Sequence, residues 1–163
     1  MTKKICFYSL FVGVCLLLSF IESLFSLNFI APGVKIGLAN SVTLILMYKG
    51  HTKGAFLVNV ARILLSTFLF SAPIVLAYSL TGGVGSLLII LLVKKLKSVS
   101  IIGAGMVGGA VHNVLQTLVA FLLLGRGIFY YGAVLVAAGA VCGGLVGSLS
   151  SIILKKIKTN LIF

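Results

Sequence analysis

The first long apolar run of the chain reads ICFYSLFVGVCLLLSFIESLF, residues 5–25, and has about the length that a helix needs to cross a bilayer. Five further apolar segments follow, at residues 34–48, 54–71, 73–93, 99–124 and 130–154. Segments 34–48 and 54–71 are short for full spans, so we expect them to be tilted or buried among the others. The sequence therefore predicts an all-α integral membrane bundle of six transmembrane helices in a single domain, residues 1–163.

The composition excludes the ordinary soluble class. Hydrophobic residues make up 61% of the chain, charged residues only 9%, and the mean hydropathy is +1.31. A net charge of +12 would indicate nucleic-acid binding in a soluble protein. Here the basic residues form short clusters between apolar runs, which is the pattern of a membrane protein. We expect a multi-pass protein of the plasma membrane, in contact with the lipid bilayer and with no nucleic-acid partner.

The distribution of positive charge predicts the orientation. With the N-terminus in the cytoplasm, ten of the thirteen basic residues fall on the cytoplasmic side. These ten are Lys3, Lys4, Lys49, Lys53, Lys94, Lys95, Lys97, Lys155, Lys156 and Lys158. Lys35 and Arg126 fall near outer ends, and Arg62 falls inside the third segment. An even number of spans, with both termini cytoplasmic, satisfies the rule.

Glu22 is the only acidic residue of the chain, and it lies within the first apolar run. Catalysis that needs two carboxylates, or Mg²⁺ held by aspartates, is therefore excluded for this chain alone. We expect no catalytic residue, no cofactor and no metal site. Glu22 either forms an ion pair with Lys35 or Arg62, or contacts a ligand. One carboxylate cannot neutralise both cations, so a remaining intramembrane cation implies backbone carbonyls, solvent or an anionic ligand.

Glycines recur at helical spacing in the last two segments. Gly139, Gly143, Gly147 and Ser151 lie four residues apart, and Gly105 and Gly109 repeat this spacing. Small residues at this spacing let helix backbones approach closely, so they predict packing faces. The G-x-G-x-x-G string that begins at Gly103 has the same explanation, because no strand precedes it and no acidic residue follows.

Three polar residues interrupt the fifth segment. His112 and Gln116 are four residues apart and share a helix face, and Asn113 lies beside them. They either line a ligand cavity or act as hydrogen-bonding contacts between helices, which contribute about 0.6 kcal/mol each. Upstream, Pro32-Gly33 breaks the chain before a short segment with Lys35 and Asn40, which could close over a pocket from the outer side.

Several stretches together carry a family resemblance. IES at residues 21–23 is followed by APGVKIGLAN at 31–40, by Arg62, by segment 79–86, and by GAVHN at 109–113 with Gln116. They resemble the Gx transporter family, also called heptaprenyl diphosphate synthase component I, over nearly the whole chain. The chain thus looks like a substrate-binding S component of the energy-coupling factor (ECF) importers, which have six helices and an outward-opening pocket.

The resemblance implies a subunit that binds a small molecule from the outer face for import. A separate coupling membrane subunit and ATPases would drive uptake, and Ser9 and Gly13 on the first helix would face the coupling subunit. An anionic or amphipathic ligand fits best: a vitamin-like compound, a quinone precursor or a prenyl diphosphate. The residues predicted to line the pocket are Lys35, Asn40, Arg62, His112, Asn113 and Gln116. Glu22 completes the predicted ligand-binding set and would orient a cation.

The second family name implies an alternative, a non-catalytic membrane component of heptaprenyl diphosphate and menaquinone synthesis. Prenyl chain elongation uses aspartate-rich motifs to hold Mg²⁺ and diphosphate, and this chain contains no aspartate. The catalytic enzyme would therefore be a separate partner. A third hypothesis is a purely structural membrane scaffold.

Overall fold

The computed structural model describes residues 2–24, 36–96, 98–125 and 129–157. These residues form six α-helices and no strand. The helices are α1 (Thr2–Leu24), α2 (Leu38–Tyr48), α3 (Thr52–Phe70), α4 (Val75–Lys94), α5 (Ile101–Leu124) and α6 (Phe129–Lys156). The predicted all-helical bundle of six helices is confirmed.

Five of these helices are long and apolar enough to cross a membrane, and α2 is the exception. Its 11 residues correspond to about 16 Å of helix, roughly half the thickness of the hydrocarbon core. The second segment is therefore short, as expected, whereas α3 has spanning length. Predicted residues 34 and 35 of the second segment lie outside the described ranges.

Helices α2 to α6 contact one another in a closed ring, in which α6 returns to pack against α2. Helix α1 lies outside this ring and packs against α2 and α3. Their burial differs accordingly: α2 buries Ala39 and every residue from Ser41 to Met47, whereas α1 buries only Cys15. The short helix is thus heavily buried, and the outward faces of the other helices remain apolar and exposed, as lipid contact requires.

The predicted glycine packing faces of α5 and α6 pack against each other. A Cβ added to Gly105 would collide with the carbonyl oxygen of Gly143, and one added to Gly109 would collide with that of Gly139. The backbones of the two helices are therefore in direct contact, which supplies dispersion energy where lipid provides no hydrophobic driving force. Gly108 instead faces Ile90 of α4, so Gly105 and Gly108 of the G-x-G-x-x-G string serve helix packing, whereas Gly103 faces Val99 and Ser100 just before its own helix.

Two lysines donate hydrogen bonds to backbone carbonyls at helix ends, on the side predicted to be cytoplasmic. Lys94 Nζ donates to the Met47 carbonyl at 2.6 Å, and it lies 5.3 Å from the centre of the Tyr48 ring. Lys49 Nζ donates to the Ile157 carbonyl at 3.0 Å. Both carbonyls belong to helix C-terminal regions, where a positive charge is favourable. These contacts tie α2 to α4 and to the end of α6.

Candidate functional site

The one carboxylate of the chain caps the buried helix. Glu22 Oε1 accepts hydrogen bonds from the backbone N–H groups of Gly37 and Leu38, the latter at 2.7 Å. Gly37 precedes α2 with φ +82°, a conformation that favours glycine, and it offers no side-chain cap of its own. A carboxylate from α1 therefore satisfies N–H groups that the start of α2 leaves open, and its charge suits a helix N-terminus.

The hydrogen bonds of Glu22 to the start of α2 bear on its predicted ion pair with Arg62. Among the contacts of the described residues, Glu22 and Arg62 form no ion pair, and the carboxylate acts on the guanidinium only through space. The Glu22–Arg62 ion pair is therefore not formed. Lys35, the other predicted partner and a predicted pocket residue, lies outside the described residues.

Arg62 is held by two amides instead of a carboxylate. Its Nη2 donates to Asn40 Oδ1 at 2.8 Å and to Asn59 Oδ1 at 2.8 Å. Its Nε is buried and has no hydrogen-bond partner within the described part of the chain. We refer to Asn40, Asn59 and Arg62 as the Arg62 cluster. Neutral amide oxygens satisfy hydrogen bonds but supply no countercharge, so no carboxylate among the described residues is paired directly with the guanidinium.

Asn59 is the member of the cluster that sequence reasoning missed. It is 1% exposed, and its Nδ2 has no hydrogen-bond partner among the described residues. The sequence does contain an indication of its role. Asn59 lies three residues before Arg62 in a predicted transmembrane segment, so the two residues share a helix face. A polar residue in such a segment is itself an indication of a functional site.

Two adjacent glycines of α4 separate the predicted polar groups. A Cβ on Gly82 would lie 3.1 Å from His112 Cε1 and 3.1 Å from Gln116 Cγ. A Cβ on Gly83 would lie 3.1 Å from Asn59 Nδ2. Polar side chains of α5 and of α3 therefore approach the same turn of α4 from two directions. The structure brings Asn40 and Arg62 into contact, and places His112 and Gln116 across α4 from them.

Asn113 makes a contact between helices. Its Nδ2 donates to the Leu135 carbonyl of α6, and its amide lies beside Gly139. A donor committed to a backbone carbonyl stabilises the α5–α6 pair. This contact favours the packing interpretation for Asn113 over its predicted role in ligand binding.

A groove of about 570 Å³ lies elsewhere, along α1. It is lined by Ser9, Leu10, Gly13, Val14, Leu16, Leu17, Phe20 and Phe70. We call it the α1 groove. None of the predicted pocket residues lines it, but it contains Ser9 and Gly13, the two small residues assigned to a coupling subunit.

Within the described residues, no group of three His, Cys, Asp or Glu side chains is placed to hold a metal ion.

Comparisons with known proteins place the chain in a family. No curated protein and no solved structure matched it. The model of one family, described as heptaprenyl diphosphate synthase component I, matches residues 11–153 and so includes α2 to α5 entire, the Arg62 cluster and the polar residues of α5. This match covers most of the sequence, and the chain therefore belongs to the heptaprenyl diphosphate synthase component I family.

Proposed function

We propose that this protein is the membrane-embedded binding subunit of a small-molecule importer, and that its ligand is anionic or amphipathic. The observation that carries the proposal is the Arg62 cluster: an intramembrane guanidinium that contacts two neutral amides while the only carboxylate caps α2. An unneutralised charge in a site of low dielectric costs several kcal/mol. An anionic ligand would supply the missing charge.

The surroundings of the cluster support a ligand site. Residues from α2 and α3 form it, and α4 packs closely beside it at Gly82 and Gly83, where the absence of side chains lets Asn59, His112 and Gln116 approach the same turn. His112 and Gln116 lie on the other side of that turn and would complete the site as α4 and α5 adjust around the ligand. Lys35, which precedes α2 in the sequence, would add a second positive charge for an anionic ligand.

Import would require partners, because the sequence contains no Walker A motif to bind ATP. A coupling membrane subunit and ATPases of the ECF type would provide the energy. The α1 groove suits a helix of such a subunit, since Gly13 has no neighbouring atom within 4 Å of an added Cβ and small residues let helices approach closely. The protein would act in the plasma membrane.

The binding proposal is tested by native mass spectrometry of the protein purified in mild detergent. We expect the wild type to retain an anionic small molecule and Arg62→Met to lose it. The matched control is Ser66→Ala, because Ser66 lies on the same helix and donates only to the Ile63 carbonyl of that helix. Retention of the same molecule by folded Arg62→Met contradicts the proposal. So does a wild type that carries no ligand and is not stabilised by a cell metabolite extract.

The second candidate is an accessory membrane subunit of prenyl diphosphate synthesis, which the description of the family favours. A diphosphate would suit the unneutralised Arg62 equally well. An affinity pull-down in mild detergent, followed by mass spectrometry, separates the two candidates. Recovery of an ATPase pair with a coupling subunit supports the importer, whereas recovery of a soluble, aspartate-rich prenyltransferase supports the synthase.

A further inference from the structure

The hydrogen bonds within the Arg62 cluster determine which hydrogen-bonding atoms of its two amides remain available to other groups. Arg62 has donors only, so the oxygen of each asparagine must face it. The amide nitrogen of each asparagine can form no hydrogen bond with Arg62, which has no acceptor, and that of Asn59 lies toward Gly83 of α4. With each side-chain oxygen accepting from Arg62, the buried polar atoms of the cluster that lack a partner among the described residues are donors.

Two of these donors are buried without a partner in the described structure: Nε of Arg62 and Nδ2 of Asn59. Nε shares its carbon with Nη2, and Nδ2 shares its carbon with Oδ1, and the Nη2–Oδ1 hydrogen bond measures 2.8 Å. The two donors therefore belong to residues that are joined by one hydrogen bond and lie three positions apart on one face of α3. Buried donors are nearly always satisfied, so both indicate a group that accepts hydrogen bonds at this place.

We infer that Asn59 is a ligand-binding residue, and that Asn59 and Arg62 together bind a fully ionised oxyanion group of the ligand, such as a carboxylate, a sulfonate or a phosphate. An oxyanion has only acceptors, which match the donors of the cluster, and its charge neutralises Arg62. Neutral amides and cations of the same size would bring unmatched donors and are rejected. This inference rests on the proposed function, which places a ligand at the cluster.

The decisive variant is Asn59→Asp. The aspartate still accepts from Arg62 Nη2, now as an ion pair, so the fold keeps its contact. It neutralises Arg62 and replaces the Nδ2 donor by an acceptor, which should weaken oxyanion binding by about a hundredfold or more. Ser66→Ala, on the same helix, leaves the cluster intact and serves as the control.

The measurement is the thermal unfolding midpoint in detergent as a function of probe concentration. The oxyanion probes are sulfate, diphosphate and benzoate, compared with sodium chloride at equal ionic strength. Benzamide and benzylammonium match benzoate in size but are neutral and cationic. We expect at least one oxyanion to stabilise the wild type and Ser66→Ala with a saturating dependence, and Asn59→Asp to lose this response. A response to diphosphate or to benzoate alone identifies the type of oxyanion.

Three results overturn the inference: equal stabilisation by benzamide or benzylammonium, an undiminished oxyanion response in Asn59→Asp, or no response of the wild type to any oxyanion. These results can be distinguished from a failure of the proposed function itself. If the wild type retains a native ligand that Arg62→Met loses, but the oxyanion probes fail, the binding function stands and the assignment of the ligand class is wrong.

Discussion

Arg62 on α3 donates to Asn40 on α2 at 2.8 Å, which joins the third helix to the buried helix only two residues after α2 begins. Glu22 on α1 accepts from the N–H of Leu38 at 2.7 Å, at the same end of α2. Three helices therefore meet through polar contacts at the start of α2. A structural change at the Arg62 cluster should therefore shift the start of α2 directly.

The Arg62–Asn40 contact can be measured by a double-mutant cycle. Asn40→Leu removes one of two acceptors of a charged donor, and we expect a loss of about 1.5–3 kcal/mol in unfolding free energy. Combined with Arg62→Met, it should show a coupling energy of about 0.5–3 kcal/mol. Thermal or denaturant unfolding in detergent gives these values. Strict additivity of the two variants would contradict a direct contact.

The cap on α2 predicts a specific role for Glu22 in stability. Glu22→Ala leaves two N–H groups of α2 without their acceptor, at a cost of about 1–3 kcal/mol. Glu22→Gln keeps an acceptor oxygen but loses the charge, so it should fall between Ala and wild type. The neighbouring Ser23→Ala is the control, since Ser23 is exposed and donates to the Phe20 carbonyl of its own helix. Equal stability of Glu22→Ala and Ser23→Ala would refute the cap.

The α5–α6 contact predicts intolerance of side chains at its glycines. Gly109→Ala places a Cβ against the backbone carbonyl of Gly139, and the helices must separate, at a cost of about 1–3 kcal/mol. Gly13→Ala is the matched control, because no atom lies within 4 Å of its added Cβ. Unfolding midpoints in detergent should fall for the first variant and remain near wild type for the second.

Lys94 should stabilise the end of α2 more than its neighbour does. Lys94→Met removes the hydrogen bond to the Met47 carbonyl and the contact with the Tyr48 ring, with an expected loss of about 1–2 kcal/mol. Lys95→Met, at an exposed position in the next residue, controls for the loss of charge. If both variants unfold at the same midpoint, the capping contact contributes nothing measurable.

The α1 groove predicts a separation of partner assembly from ligand binding. Gly13→Leu would fill the groove and reduce co-purification of a coupling subunit at least tenfold, which corresponds to about 1.4 kcal/mol, while ligand retention stays unchanged. Val141→Leu, on an exposed face of α6, is the control for added bulk. Normal recovery of the partner with Gly13→Leu would show that the subunit docks elsewhere.

Much of the fold was predictable because its signals are local. The apolar segments predicted the helices, and the spacing of Gly105, Gly109, Gly139 and Gly143 predicted a packing face, since both follow from the hydrocarbon environment and helix periodicity. The candidate site was less predictable. The sequence predicts Asn40 and Arg62 as pocket residues, and the structure brings them into contact, together with Asn59, which the pattern does not single out. Asn113, also predicted for the pocket, donates to the backbone of α6.

The sequence by itself determined that this is a helical membrane protein with one acidic residue against thirteen basic ones, because composition and periodicity are properties of the chain. Only the tertiary structure decided where that carboxylate acts. Glu22 caps α2 and leaves Arg62 to two amides, and this assignment depends on which helix ends meet in space. Hydrogen bonds require contact within about 3 Å, and residues far apart in the chain reach that distance only through packing of the helices.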